Sequence, residues 1–341
     1  MKAELVYDYA SRVQIPSSMG IPRADQMQGT SAEQLTEVCG RICYDSLGTG
    51  RNSEAYHQHI VEVGHGSVLE HYNITFCMNL AETDFYESLI NRPGVWIRPD
   101  SRILTCNLRT LLEWNRMGQS VETAKFVAGA IGEQLAPMIF GRQPTSKMDL
   151  LASLRYRPVF DEECCVSLYL AVSRGFSHEM VRHGDWTAIS QRSTRYCDES
   201  VSDWVEHPLL GQYFKENDDG ELLEAIDELV SDSRSVYAVT TERMHEWLIR
   251  RGLSGTDARK QARGAARGFL GNALETEMIF SANVAQWKRI LRQRGGPAAD
   301  AEIRQIACLI LIELKKSQYS SRFDAFNIVD GTFGQSVVES V

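Results

Sequence analysis

Residues 182–196 are rich in side chains that bind anions and poor in side chains that gain from burial. Three arginines and one histidine stand there among four serine or threonine residues and one glutamine, with no apolar stripe. A helix or a strand is stabilised by burying an apolar face, which this segment lacks. Arginine side chains bind phosphate through two parallel hydrogen bonds. The segment therefore predicts an irregular, polar cavity wall for an anionic ligand, and a solvated loop is the alternative.

Three blocks of sequence follow one another along the chain. The first is Gly64-His65-Gly66-Ser67-Val68-Leu69-Glu70-His71, followed by an alternating run over 72–78. The second opens with Arg182-His183 and closes with Ser193-Thr194-Arg195-Tyr196, and the third contains Arg267, Asn283 and Arg294. In order and spacing these blocks resemble the flavin-dependent thymidylate synthase family. The second block, residues 182–196, is called the signature below. It departs from the family pattern because Gly184 stands where a third basic residue is usual, and because the spacer between its opening and closing residues is one residue longer.

The apolar patterns and the resemblance predict one α+β domain over 1–341, with a ThyX-like central antiparallel sheet flanked by helices. Strands are expected near the N-terminus, at 70–80 and at 165–172. Helices are expected at two places within 31–63 and at 104–114, 120–135, 176–182, 222–251, 256–294 and 298–317. Residues 81–162 are interpreted as a large insertion that compact members of the family lack. No motif in that segment indicates its role.

The resemblance implies C5 methylation of a uracil nucleotide, UMP or dUMP. Methylenetetrahydrofolate would supply the carbon, and NADPH would supply reducing equivalents through FAD. The family's catalytic positions correspond to Arg294 and His65. Its substrate positions correspond to Glu179, Arg182, Gln191, Ser193, Arg195, Arg267 and Arg294. Its flavin positions correspond to Ser67, Arg182, His183, Gln191, Asn283 and Arg289, and no metal ligand is implied.

The flavin positions carry unusual residues. Besides Gly184, the chain has Ala285 and Arg289 where other side chains are usual, and Gln191 replaces a frequent glutamate. These departures resemble specialised members that methylate UMP as well as dUMP in nucleoside-antibiotic (polyoxin) biosynthesis. Three alternatives stay open: a flavin-dependent nucleotide hydroxymethylase, a nucleotide-binding sensor that has lost flavin, and a nucleic-acid binder that uses a basic face at 259–267.

The overall charge argues against nucleic acid as a partner. The chain has a net charge of −9 and a pI near 5.5, and a general nucleic-acid binder is usually basic. No apolar run is long enough for a membrane span and no secretion signal is recognisable, so a cytoplasmic protein without a membrane partner is expected. The resemblance implies a homo-oligomer, a tetramer or a dimer, with shared active sites.

Cysteine and histidine spacings argue against a disulfide framework or a metal site. The eight cysteines form no Cys-x-x-Cys pair, and their apolar surroundings predict reduced, buried thiols, with Cys197 a bystander beside the signature. His57, His59, His65 and His71 match no common zinc spacing. No Gly-rich phosphate loop is present, so flavin would be held by a surface that is not a Rossmann fold.

Overall fold

The computed structural model describes residues 1–8, 13, 27–47, 50–77, 94–98, 103–116, 129, 131–141, 156–184 and 186–340. Within these ranges the strands are β1 (Lys2–Tyr7), β2 (Asn73–Cys77), β3 (Val95–Ile97), β4 (Ile103–Asn107), β5 (Cys165–Ser173), β6 (Thr187–Gln191), β7 (Glu275–Asn283), β8 (Phe326–Val329) and β9 (Ser336–Glu339). The α-helices are α1 (Ser31–Ile42), α2 (Ser53–Glu62), α3 (Leu108–Arg116), α4 (Pro137–Phe140), α5 (Arg174–Met180), α6 (Pro208–Glu216), α7 (Gly220–Arg250), α8 (Gly255–Ala266), α9 (Val284–Arg294) and α10 (Ala301–Leu314). Short 3-10 helices lie at Gly66–His71, Arg267–Phe269 and Ser320–Phe323.

A four-stranded antiparallel sheet forms the centre of the fold, in the order β1-β5-β7-β6. All of β5 is buried because hydrophobic cores cover both of its faces. Tyr169 and Ala171 face the core that contains α1, while Leu168 and Leu170 face the core that contains α9 and α10. Alternate side chains of a strand point to opposite faces, so this run is buried on both. The predicted α+β class is confirmed.

A second sheet, ordered β2-β4-β3, joins the first sequence block to the 81–162 segment. The helix predicted at 104–114 is wrong over its first four residues, because β4 ends at Asn107 and α3 begins at Leu108. All five residues of β4 are buried, and β4 pairs with β2 along its whole length. Backbone pairing with a distant strand therefore overrides the helical pattern. The helix predicted at 120–135 lies largely outside the described residues.

The single helix predicted at 256–294 is also wrong. The chain leaves α8 at Ala266, turns near Gly271-Asn272, and crosses the sheet as β7 before α9 begins. Helical spacing is real at both ends of the predicted range, which hides the strand between them. Within α9, Trp287, Ile290 and Leu291 recur at helical spacing and form one buried face. Asn283 caps this helix, because its side-chain oxygen accepts a hydrogen bond from the Gln286 amide.

The signature is less irregular than expected, because Thr187–Gln191 forms edge strand β6 against β7. One side of its backbone is hydrogen-bonded to β7, and its buried positions carry the small side chains Ala188 and Ser190. An apolar stripe is therefore not needed. The other predicted helices are confirmed within a few residues: two within 31–63, and those at 176–182, 222–251 and 298–317.

All eight cysteines are free thiols, and most are buried. Burial raises the pKa of Cys197 to about 11, which leaves the thiol protonated near neutral pH. The interpretation of Cys197 as a bystander agrees with this protonated state, since a thiolate is the reactive form. None of the helices in the described ranges combines the length and apolar character that a membrane crossing requires.

Candidate active site

The predicted catalytic arginine, Arg294, lies at the C-terminal end of α9 against the end of α5. Its Nη1 donates to Oε2 of Glu179 at 2.9 Å, and its Nε donates to Nε2 of His183 at 3.0 Å. The arginine and the glutamate are both partly exposed, so their ion pair contributes little to stability. The ion pair instead orients Arg294, because the contacts with Glu179 and His183 together hold the guanidinium in one plane.

His183 is neutral in this arrangement. Its Nε2 accepts a hydrogen bond from Arg294, which assigns the ring proton to Nδ1. Burial, together with the positive charges of Arg294 and Arg289, lowers the pKa of His183. The structure thus brings Glu179, His183 and Arg294 together and places Arg289 near them, as the sequence comparison implied. Arg182 directly precedes His183 in the turn after α5, and its side chain is exposed.

A second group of predicted residues lies where the signature meets α8. The hydroxyl of Ser193 accepts a hydrogen bond from the Arg195 amide, and Nε of Arg195 lies 3.8 Å from the position that a Cβ on Gly264 would occupy. Arg267 follows Gly264 by three residues and therefore lies on the same side of the helix end. Ser193 and Arg195 therefore lie together beside α8, Arg267 follows one helical turn after Gly264, and hydroxyl and guanidinium side chains of this kind can bind an anion.

On the basic face at 259–267, Arg263 contacts the signature loop. Its Nη1 donates to the backbone carbonyl of Tyr196, and its Nη2 lies 3.2 Å from Oδ2 of Asp198. Arg263 therefore fixes the signature loop to α8. Arg259, one turn earlier, is exposed.

Gln191 connects the signature strand to the helix that carries Glu179. Its amide nitrogen donates to Oγ of Ser177 at 3.0 Å and to Oγ1 of Thr276 at 3.2 Å. Ser177 belongs to α5, and Thr276 belongs to β7. A glutamate at position 191 could only accept hydrogen bonds and could not donate these two. The glutamine that replaces the family's frequent glutamate therefore has hydrogen-bond partners of its own, Ser177 and Thr276.

His65 lies in a row of aromatic rings rather than beside Arg294. Its Nδ1 is 2.9 Å from the hydroxyl of Tyr44, and the two rings are stacked. Tyr44 meets Tyr196 edge to face, and the Lys260 ammonium lies over the Tyr196 ring. This row joins the first block, the end of α1, the signature and α8. Ser67 lies two residues further on, exposed on its 3-10 helix.

A cavity of about 660 Å³ opens between the central sheet and the second sheet. Its walls are formed by Glu70, Asn73, Gly94, Val95, Thr105, Asn107, Arg109, Thr110, Glu113, Glu162, Glu163, Cys165, Gly184, Trp186, Thr187, Ala188, Ser281 and Asn283. Gly184 directly follows His183, so the cavity adjoins the Arg294 group. Its volume lies in the range of sites for nucleotide-sized ligands. The predicted flavin residue Asn283 lines it.

Part of this cavity wall was missed by the sequence reasoning. Arg109 of the 81–162 segment bridges two carboxylates: Nη1 lies 2.5 Å from Oε1 of Glu70, and Nε lies 2.8 Å from Oε1 of Glu113. Glu70 was within the first block but had no assigned role. Arg109 and Glu113 are an i, i+4 pair, but such pairs are common on exposed helices, and nothing in the sequence connects them to Glu70.

Behind the cavity, a buried histidine connects three strands and the first block. His71 is fully buried, with Nδ1 2.7 Å from Oγ of Ser281 and Nε2 2.9 Å from Oγ of Ser190. Ser281 in turn donates to Oγ of Ser167 at 2.6 Å. Burial lowers the pKa of His71 to about 3. The neutral ring therefore donates from Nδ1 and accepts at Nε2.

Comparisons with known proteins place these features in a family context. The sequence profile of the family described as "Thymidylate synthase complementing protein" matches residues 26–91 and 148–318, which is more than half of the chain. A protein named flavin-dependent thymidylate synthase from Mycolicibacterium gilvum (strain PYR-GCK) is 35% identical over 174 residues, covering 50% of this chain and 66% of the relative. A protein of the same name from Mycobacterium leprae (strain Br4923) is 32% identical over 178 residues, covering 50% and 67%. The chain thus spans about two thirds of the length of these relatives. Residues 92–147 lie outside the family match.

Proposed function

The chain belongs to the flavin-dependent thymidylate synthase family, and we propose that it methylates C5 of a uracil nucleotide. In this proposal methylenetetrahydrofolate is the carbon donor, NADPH is the reductant and FAD is the cofactor. When bound, the flavin supplies the transfer of reducing equivalents. The residues of the chain bind and orient the nucleotide and control charge around it. The proposal rests on the two contacts that Arg294 makes with Glu179 and with neutral His183.

Arg294 would act as a fixed cation beside the uracil ring. Loss of the N3 proton makes the ring anionic, and a nearby guanidinium stabilises that anion. Because Glu179 and His183 already hold the guanidinium, little reorganisation accompanies the change in charge. The neutral state of His183 also matters: a protonated imidazole beside Arg294 would add repulsion between like charges. Glu179 balances the charge of Arg294 until the nucleotide enters.

The phosphate of the nucleotide would be bound by Arg195 and Arg267, with Ser193 as a hydroxyl donor. Arg195 and Arg267 project from the signature and from the end of α8, so two elements fix the anion. Arg182, exposed at the turn after α5, would contact both the nucleotide and the flavin. Gln191 would contact both ligands from the end of β6. Ser67 and His65 would face the flavin from the first block.

The cavity wall is polar, and four glutamates and one arginine are among its lining residues. The wall combines amide, hydroxyl and carboxylate side chains with the indole of Trp186, and polar and aromatic groups of this kind bind nucleotides. Asn283 holds the turn into α9 at the cavity edge through its cap contact, and Arg289 lies further along the same helix. His183, Asn283 and Arg289 would hold the flavin cofactor at this edge of the cavity.

The 81–162 segment would be an insertion within one domain, and the enzyme would accept UMP as well as dUMP, in nucleoside-antibiotic biosynthesis. The support is indirect: Gly184, Ala285 and Arg289 depart from the family pattern, and the family match omits 92–147. Discrimination against one ribose hydroxyl depends on steric or unpaired polar contacts worth a few kcal/mol. Small shifts of a wall can create or remove such contacts.

The protein would act as a homo-oligomer with shared active sites. The Arg294 group and the Ser193, Arg195 and Arg267 group share no hydrogen bond or ion pair among the described residues, which is the arrangement expected if a second subunit completes each site. Helix α7 offers a surface for that subunit. Its exposed apolar side chains are Leu222, Leu223, Leu229, Val236, Val239, Trp247 and Ile249.

Release of tritium from C5-labelled UMP and dUMP tests the proposed reaction. The full chain is supplied with FAD, NADPH and methylenetetrahydrofolate, and the products are identified by mass spectrometry. Release from both nucleotides with a methylated product is the expected result. Release from dUMP alone would contradict the broader substrate range, and a hydroxymethylated product would contradict the reductive step. No release, with a purified protein that binds no flavin, would overturn the proposed function.

A further inference from the structure

A two-stranded hairpin near the C-terminal end of the chain packs against the helix that carries Arg294. Its strands, β8 and β9, pair with each other along their whole length, and the family match ends before them, at residue 318. Val337 of β9 is buried in the same hydrophobic core as Trp287 and Leu291 of α9. The hairpin therefore shares its core with the helix of the candidate active site.

The hairpin approaches this helix most closely at Gly295, the residue that directly follows Arg294. The backbone carbonyl of Gly295 accepts a hydrogen bond from the Val337 amide at 2.8 Å. A Cβ at position 295 would lie 2.6 Å from Cβ of Val337 and 2.7 Å from the carbonyl oxygen of Leu291, both too short for an ordinary contact. Glycine allows the close approach because it has no Cβ. The backbone next to Arg294 is thus held against β9.

A buried arginine of α10 joins the turn of the hairpin to the segment that follows α9. The guanidinium of Arg304 donates to the backbone carbonyls of Pro297 and Ala299 at 3.0 and 3.1 Å. It also donates to the carbonyls of Phe333 and Gln335 at 2.5 and 3.2 Å, just before β9. A guanidinium has five N–H donors in one plane, so a single side chain can make all four contacts. Arg304 therefore fixes the two segments relative to each other.

An ion pair between Arg292 of α9 and Glu339 of β9 adds an outer contact. Its two hydrogen bonds are 2.5 and 2.7 Å long, but 50% of the arginine side chain and 33% of the glutamate side chain are exposed. Exposed ion pairs contribute little to stability. The buried contacts at Gly295 and Arg304 therefore determine where the end of α9 lies.

We propose that the β8–β9 hairpin is a positioning element for Arg294, and that Val337 and Arg304 fix the end of α9 so that the guanidinium meets Glu179 and His183. Arg294 is the last residue of α9, and Glu179 and His183 lie in and just after α5. A shift of the residue after Arg294 would therefore move the guanidinium away from both partners. The expected effect on turnover rests on the proposed function, whereas the contact with His183 can be tested without any substrate.

Gly295→Ala in the full-length protein tests the proposal, because its methyl group would collide with Val337 and displace the hairpin. Gly296→Ala is the matched control, since a Cβ there would lie 3.8 Å from the carbonyl oxygen of Arg292, an ordinary contact. Arg304→Lys is a second variant with the same expected effect as Gly295→Ala. An ammonium group keeps the charge but lacks the planar set of donors that reaches four carbonyls.

NMR titration of the histidines in the ligand-free protein provides the first measurement. Burial, Arg294 and Arg289 lower the pKa of His183. Moving Arg294 away removes one of these causes, so the pKa of His183 should rise in Gly295→Ala. It should keep the wild-type value in Gly296→Ala. The resonance of His183 is assigned by its loss in His183→Asn.

Tritium release from the C5-labelled nucleotide provides the second measurement. Gly295→Ala and Arg304→Lys are each expected to lower kcat about tenfold, because a misplaced charge stabilises the uracil anion less well. The KM for the nucleotide and the Kd for FAD should stay within about twofold of wild type.

An unchanged pKa of His183, or an unchanged kcat, in these two variants would overturn the proposal. Nucleotide and FAD binding that weakened in parallel with kcat would also overturn it, because it would indicate a general loss of structure. A raised pKa of His183 in a protein whose wild type releases no tritium would contradict the proposed function, while confirming that the hairpin positions Arg294.

Discussion

At the scale of single residues, the proposed stabilisation of the uracil anion depends on how Arg294 is held. An arginine at the end of a helix is ordinarily mobile, since its side chain has many rotamers. Here Glu179 and His183 contact two different nitrogens of its guanidinium, so the charge has one position and one orientation. The neutral imidazole contributes as an acceptor, which a lowered pKa preserves. Position and protonation state are thus set together.

Arg294→Ala is expected to reduce turnover by about 100-fold or more, the loss typical of removing one group that stabilises developing charge. Flavin affinity should remain within a few-fold of wild type. Arg294→Lys should recover only part of the activity, because an ammonium cannot make both planar contacts. Tritium release and flavin fluorescence measure the two properties separately.

Arg292→Ala is the control for that variant. Arg292 lies on the same helix but pairs with Glu339 away from the site. Its loss should change turnover little. If Arg294→Ala released the flavin together with the loss of turnover, the assignment of Arg294 to the uracil would be wrong.

At the scale of elements, one buried histidine joins the first block to the central sheet. His71 ends a 3-10 helix and contacts serines of β6 and β7, and one of these serines reaches β5. Strands β6 and β7 carry Gln191 and Asn283 at their ends, so this network fixes the spacing between two candidate ligand-binding residues. Removing the ring would deprive the buried hydroxyl of Ser190 of this partner and leave Ser281 with Ser167 alone, and a buried group that loses its hydrogen bond costs about 1–3 kcal/mol.

Acidification is expected to destabilise the protein through His71. Its pKa is about 3 in the folded chain and about 6.5 in an unfolded chain, so the unfolded chain binds an extra proton between these values. The contribution is complete above about pH 6.5 and is lost as pH falls below that value. About 1.4 kcal/mol of the free energy of unfolding should be lost between pH 7.5 and pH 5.5.

Urea unfolding at the two pH values measures this loss. His71→Gln cannot be protonated, so its free energy of unfolding should be lower at pH 7.5 but should change less with pH than that of wild type. The difference between the two proteins isolates His71 from other titrating groups. Parallel pH profiles would contradict the assignment.

At the scale of the whole molecule, helix α7 is the most exposed long element of the described chain. Its buried residues are Tyr237 and Leu248, whereas Leu222, Leu229 and Val236 recur at seven-residue steps on an exposed stripe. A stripe of this kind is typical of a helix that packs against another helix. The second subunit proposed above would cover it.

The double variant Leu229→Glu and Val236→Glu is expected to convert the oligomer into monomers, because it places charges in the apolar stripe. Light scattering coupled to size-exclusion chromatography measures the mass. Val201→Glu, at another exposed apolar position, should leave the mass unchanged. An unchanged mass in the double variant would exclude this stripe as the interface. If the sites are shared, turnover should fall with the mass.

The sequence alone determined the class of the fold, and its resemblance to the family selected Glu179, His183 and Arg294 as candidate site residues, whereas their meeting is seen in the structure. The apolar face of α9 can also be read from the spacing of Trp287, Ile290 and Leu291, since local periodicity follows the 3.6-residue turn. Tertiary structure decided what local patterns cannot express. Strand β7 and the pairing of β4 with β2 depend on distant backbone partners. The meeting of Arg109 with Glu70 follows from that pairing, and it gives the 81–162 segment its place at the cavity.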